Sequence, residues 1–191
     1  MMDFQRLNAK IASDIGTLTD TPFKEDNPLQ ISFDGEGYPT MEKNVIENGI
    51  LKTMLYNLTT AEKDGVESTG NASRGGSGIG TRVYSFFINP GRMNDEELIK
   101  FAENGIFVTD MKGFHAGADT VSGDFSIESE GFVIENGVLT RPVRSFTVAG
   151  NFFDLLLGIK EISSELEMRS PGFTQIASPA VLIENMSVAG E

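Results

Sequence analysis

Val45-Ile46-Glu47-Asn48-Gly49-Ile50-Leu51 sets an Asn-Gly pair between two short apolar runs. Asparagine and glycine best tolerate the two positive φ angles of a type I′ turn, whose twist matches that of paired strands, so the stretch predicts a β-hairpin. Val133-Ile134-Glu135-Asn136-Gly137-Val138-Leu139 repeats it almost letter for letter, and Val181-Leu182-Ile183-Glu184-Asn185 begins it again. Val148-Ala149-Gly150 likewise recurs as Val188-Ala189-Gly190. The intervals are too uneven for a solenoid, and repeated hairpins point instead to an antiparallel sheet that closes or folds over.

Helices interrupt this pattern. Asn94 stands where an N-cap belongs, with Glu97 three residues on; Leu98, Ile99, Phe101 and Ala102 offer an apolar face, and Gly105 a stop. Asn151 similarly reads as the cap of a helix running to about Ile162, with Phe152, Leu155, Leu156 and Ile159 facing inward. Near the N-terminus, Phe4, Leu7, Ile11 and Ile15 recur at helical spacing before Gly16, which predicts a helix over residues 3–15. Residues 17–40, rich in Asp, Pro, Gly and Asn, read as loop with room for one short strand. The expected fold is α+β, predominantly antiparallel β, hairpin-rich and barrel-like or folded over, with two or three short helices. Residues 1–31 form an N-terminal helix and linker in this reading, and residues 32–191 the domain proper.

Composition removes several kinds of function. Lys and Arg total 15 against 28 Asp and Glu, and the formal net charge of -13 repels phosphate backbones and anionic membranes, so direct nucleic-acid binding is not expected. With no cysteine there can be no disulfide, thiolate metal site or cysteine nucleophile. The longest apolar stretch, residues 152–159, is broken by Asp154 and falls far short of the ~20 residues that span a bilayer. Met1-Met2-Asp3-Phe4-Gln5-Arg6 lacks the basic-then-apolar run of a secretory leader, and a cytoplasmic location is expected.

The most unusual segment is residues 64–80, Asp64-Gly65-Val66-Glu67-Ser68-Thr69-Gly70-Asn71-Ala72-Ser73-Arg74-Gly75-Gly76-Ser77-Gly78-Ile79-Gly80. A long, polar, glycine-dense stretch in a compact domain is either a binding loop or a plain surface connection. It lacks the Lys-Ser/Thr pair of a phosphate loop and the spacing of a nucleophile elbow. His115, the one histidine, sits near Asp119 and Asp124, yet a zinc site needs three or four protein ligands, so a surface role is the simpler reading. Asp124 follows Gly123 among small residues, which suits a ligand contact and an ordinary turn equally. Acid–base pairs such as Asp119 with Asp124 or Glu62 with Asp64 compete with the plainer reading of solvated charge.

Taken in order, Glu47-Asn48-Gly49 with Leu51, the run from Asp64 to Arg74, Val121-Ser122-Gly123-Asp124-Phe125-Ser126, Val133-Ile134-Glu135-Asn136-Gly137, Val148-Ala149-Gly150-Asn151 and Val188-Ala189-Gly190 resemble the C-terminal domain of the PmbA/TldD peptidase family, of the TldE type. The resemblance runs from about Ser32 to the end. It implies a cytoplasmic protein whose relatives pair with a TldD-like zinc peptidase subunit, degrade unfolded peptides, mature a peptide precursor, and were first described as modulators of DNA gyrase. In such pairs the zinc subunit carries a His-Glu-x-x-x-His helix in its N-terminal half and a cysteine ligand near its C-terminus; this sequence has neither, and Arg169-Ser170-Pro171-Gly172-Phe173 offers no cysteine where one would fall. The resemblance therefore implies no metal and no catalytic residue in this chain, zinc in the partner, and a chain that corresponds to the C-terminal half alone. Thr69, Gly70, Asn71, Arg74 and Asp124 are the residues expected to line a chamber for extended peptides. A domain without its other half would expose apolar surface and associate with itself. The rivals are a metal-independent hydrolase using Asp124, His115 or Glu67, and a free-standing interaction module.

Overall fold

The structure, a computed structural model, describes residues 7–24, 30–169 and 174–190. Strands β1 (Leu18–Thr21), β2 (Lys43–Glu47) and β3 (Ile50–Leu51) precede helix α1 (Leu58–Asp64). Strands β4 (Ala72–Gly75), β5 (Gly78–Thr81) and β6 (Ser85–Ile88) follow, then helix α2 (Asp95–Ala102), strand β7 (Gly105–Lys112) and the single turn α3 (Phe114–Gly117). The chain closes with β8 (Asp124–Glu135), β9 (Val138–Asn151), α4 (Phe152–Leu157), β10 (Ile159–Arg169), β11 (Gln175–Ile183) and β12 (Ser187–Ala189). They form a six-stranded sheet in the order β10-β11-β6-β1-β2-β3, a four-stranded sheet β12-β9-β8-β7, and a two-stranded ribbon β4-β5. These strands pair antiparallel except β11 with β6, and an isolated parallel bridge joins Met93 to Ser163. The fold is thus α+β and antiparallel-rich as expected; among the described residues no sheet closes into a barrel.

Both complete Asn-Gly motifs form the hairpins that their residues dictate. Asn48 and Gly49 take φ of 49° and 79°, Asn136 and Gly137 take 51° and 73°, and the flanking strands pair as β2-β3 and β8-β9. The third motif does not. Asn185 has the same positive φ of 63°, but the chain leaves the sheet there, and β12 pairs with β9 of the other sheet. Without a following glycine the second residue of a type I′ turn has no cheap occupant.

The N-terminal stretch corrects the helix expected over residues 3–15, of which residues 3–6 lie outside the described residues. Asn8 adopts φ 65°, and the backbone N–H groups of Asn8, Ile11 and Ala12 donate to Leu51 and Gly49 carbonyls at 2.8, 2.8 and 3.1 Å. Those donors are spent on the β2-β3 hairpin and cannot serve a helix. Ile11 and Ala12 enter a core with Ile46, Leu51, Leu156, Ile159 and Ile162, while Ile15 stays exposed. The strand that follows, β1, lies between β2 and β6 in the main sheet.

The helix at Asn94 forms with the reciprocal cap its sequence demands: the Asn94 side chain accepts from Glu97 N at 2.8 Å, and Asn94 N donates to the Glu97 carboxylate at 3.0 Å. Of its expected inward face only Leu98 is buried; Phe101 is 54% exposed. Asn151 caps α4, but that helix stops at Gly158, and Ile159 and Ile162 are buried as strand residues of β10. Phe152 is exposed. Two helices were not anticipated. α1 has an Asn57–Thr60 capping box and a left-handed Gly65 at its end, yet buries only Ala61, so its polar sequence shows no apolar stripe. α3 is one turn opened by Gly113.

Gly49 joins these parts. Its φ is positive, and a Cβ there would lie 2.5 Å from the Ala12 carbonyl oxygen. Gly65 has φ 69° with open space around it. Gly49→Ala is expected to lower stability by at least about 2 kcal/mol, through backbone strain plus displacement of residues 11–13, whereas Gly65→Ala costs about 1 kcal/mol, the strain alone. Urea unfolding of the two variants checks the contrast.

Candidate functional site

The segment from Asp64 to Gly80 is not a loose loop. Asp64 ends α1, residues 68–71 dive into the protein, and residues 72–81 stand out from it as the β4-β5 ribbon. Ala72 pairs with Thr81, Ser73 with Gly80, Arg74 with Ile79 and Gly75 with Gly78. Because paired residues share a face, Ser73, Gly75, Gly78 and Gly80 leave one face almost without side chains, and Arg74 and Ile79 project from the other.

The root of the ribbon is built around Asp20 of β1, whose carboxylate is fully buried. It accepts from Tyr84 N at 2.7 Å, from the Asn71 amide at 2.7 Å and from Lys43 Nζ at 3.1 Å. Burial pulls the Lys43 ammonium below the ordinary lysine value, and the charge of Asp20 offsets part of that effect. Lys43 and the Arg82 guanidinium also lie 5.8 and 4.8 Å from the Tyr84 ring centroid. The Tyr84 hydroxyl donates to Gly70 O at 2.7 Å; burial, the first cause, raises its pKa.

Of the residues expected to meet a peptide, Thr69, Gly70 and Asn71 belong to this root. Asn71 has no exposure; its amide donates to Arg82 O at 2.8 Å as well as to Asp20, and its side-chain oxygen accepts from the Thr69 hydroxyl at 2.7 Å. Thr69 in turn accepts from Tyr56 N at 2.7 Å. A Cβ at Gly70 would stand 2.3 Å from the Pro39 carbonyl oxygen. In this chain these three residues hold the ribbon, and Arg74 is the one of the four that reaches solvent, its Nε donating to Gly35 O at 3.1 Å.

Asp124 lies elsewhere, at the start of β8 in the four-stranded sheet. Its carboxylate accepts from the Asn151 amide at 2.8 Å and borders an open hollow with residues 116–120, 125 and 126. Beside it, the backbone N–H groups of Ser122 and Val121 donate to the Asp119 carboxylate and hold its pKa below the ordinary range, as in a turn. Glu62 and Asp64 lie two apart on α1 and face different ways. His115 is exposed on α3, and among the described residues no three His, Asp or Glu side chains gather closely enough to hold a metal ion.

Sequence reasoning missed Asp20, Lys43 and Tyr84, which set the ribbon's position. The local signal was slight: Asp20 stands between two threonines in a stretch that reads as loop. Asp20→Ala would leave Lys43, the Asn71 amide and Tyr84 N without their acceptor, and is expected to cost about 3–5 kcal/mol. Arg74→Ala, on the exposed ribbon, should change stability by less than about 0.5 kcal/mol. Chemical denaturation of the two variants tests the difference.

Comparison with known proteins brings a family to this geometry. The profile described as the PmbA/TldA metallopeptidase C-terminal domain matches residues 2–190. Metalloprotease PmbA of Escherichia coli O157:H7 is 31% identical over 185 residues, covering 97% of this chain and 38% of that protein. A Metalloprotease PmbA homolog of Haemophilus influenzae is 29% identical, covering 96% of this chain and 38% of its own. Among solved structures, a Thermotoga maritima protein described as a candidate modulator of a DNA gyrase superposes with TM-score 0.88 at 38% identity, over 96% of this chain and 41% of that one. TldE from Thermococcus kodakarensis does so with TM-score 0.87 at 31% identity, over 97% and 42%. The chain thus spans well under half the length of these relatives. Matched by the profile from residue 2 to residue 190, it belongs to the PmbA/TldD family and represents that family's C-terminal domain.

Proposed function

We propose that this chain is the C-terminal domain of a TldE-type subunit, non-catalytic by itself, that works in the cytoplasm with a TldD-like zinc peptidase on extended, unfolded peptides. The observation that carries this reading is the donor set. Within a family whose relatives are named metalloproteases, this chain has no cysteine, and its one histidine is exposed on α3, so this domain offers no zinc ligand set of its own. We assign the zinc to the partner and binding surface to this domain. The likeness to TldE from Thermococcus kodakarensis supports the assignment of type.

The ribbon supports the substrate class. Among the described residues β5 pairs only with β4, so its other edge presents unpaired main-chain N–H and C=O groups. Such an edge binds an extended chain through its backbone, which gives affinity with little demand on sequence. Arg74 on this ribbon and Asp124 at the second sheet are the side chains we assign to substrate contact.

Co-purification of the natural protein with the TldD-like protein of the same organism, followed by zinc analysis and a peptide-cleavage assay, tests the reading. A complex with zinc confined to the partner and cleavage requiring both proteins is the expected result. Zinc or cleavage in this subunit alone would overturn it. Arg74→Ala and Asp124→Ala should each lower cleavage by the pair about tenfold, the effect of losing one charged contact to substrate, without loss of complex formation. Unchanged cleavage in both would remove them from the site.

A further inference from the structure

A tight turn runs alongside the ribbon. Asp34 N donates to Tyr38 O at 2.9 Å, and one oxygen of the Asp34 carboxylate accepts from Glu36 N and Tyr38 N, both at 2.9 Å. The other carboxylate oxygen reaches out of the turn and accepts from Ala72 N at 3.0 Å. The next residue completes the contact: Gly35 N donates to Ala72 O at 2.8 Å, and Gly35 O accepts from Arg74 Nε at 3.1 Å. The outer edge of β4 is thereby occupied at its root, while among the described residues no strand pairs with the outer edge of β5. Gly35 has no latitude here, since a Cβ on it would lie 2.8 Å from Arg74 N and 3.0 Å from Ala72 O.

We infer that Asp34 and Gly35 are positioning residues for the β4-β5 ribbon: they fix its direction by its root and decide which of its two edges faces an incoming chain. The inference rests on the reading that the ribbon meets peptide. Asp20 joins the ribbon's root to the sheet from inside, whereas Asp34 and Gly35 act on β4 from its flank and also grip the side chain of Arg74. Neither residue needs to touch substrate.

Two substitutions separate the parts of this claim. Asp34→Asn keeps one carbonyl oxygen for Glu36 N and Tyr38 N, so the turn survives, but it sets an NH2 donor against the donor Ala72 N. Gly35→Ala leaves every polar group in place and pushes the ribbon away by its Cβ. In the natural full-length protein both are expected to raise amide hydrogen exchange across residues 72–81 by about tenfold, the loss of one buried charge-assisted bond or its equivalent, with β8 and β9 protection unchanged. With the zinc subunit present, both should raise KM for an unfolded peptide several-fold while kcat stays near its original value. Exchange in residues 72–81 that is unchanged in both variants would overturn the positioning role. Faster exchange with unaltered KM would uphold that role and remove the ribbon from the peptide site.

Discussion

A carboxylate without access to water organises this domain. Asp20 sits on a strand in the middle of the main sheet, and its donors come from β2, from Asn71 at the foot of the ribbon, and from Tyr84 at the approach to β6. A buried charge is tolerated only when its hydrogen bonds are all made, so the three segments must arrive together or not at all. The bond to Asn71 closes 51 residues of chain and that to Tyr84 closes 64. Hydrophobic burial supplies the bulk of the stability, but it is indifferent to direction. The Asp20 cluster supplies direction.

What could be read from the sequence was whatever neighbouring residues decide among themselves. An Asn-Gly pair sets its own φ angles, and Asn94 with Glu97 satisfies the first backbone donors of its helix; both formed as written. The N-terminal apolar spacing failed because the carbonyls of Gly49 and Leu51, in a distant hairpin, take the same N–H groups. α4 failed by one turn because Ile159 and Ile162 fit an inward face in either helix or strand, and the sheet claimed them. Periodicity reports which residues seek burial and leaves open the backbone that buries them.

The candidate site was legible in part for the same reason. Its unusual composition marked residues 64–80, but composition does not distinguish a residue that contacts a ligand from one that holds the contacting element. Thr69, Gly70 and Asn71 turned inward because Asp20, Tyr56 and Tyr84 offer them partners, and none of these lies within the segment. Asp34 and Gly35 gave no signal beyond an ordinary turn. Family resemblance identified the domain, while the inward placement of Thr69, Gly70 and Asn71 emerged only from the geometry.

The parallel pairing of β6 with β11 has a consequence for how the chain is made. β6 lies between β1 and β11, and Ser85 faces Gln175, 90 residues later. During synthesis the early part of the chain can assemble β3-β2-β1-β6, but β6 keeps a bare edge until the final hairpin leaves the ribosome. Loop closure of that length is slow, so the nascent domain spends its longest unprotected interval with a half-finished sheet, the state in which chaperones and neighbouring chains compete for it.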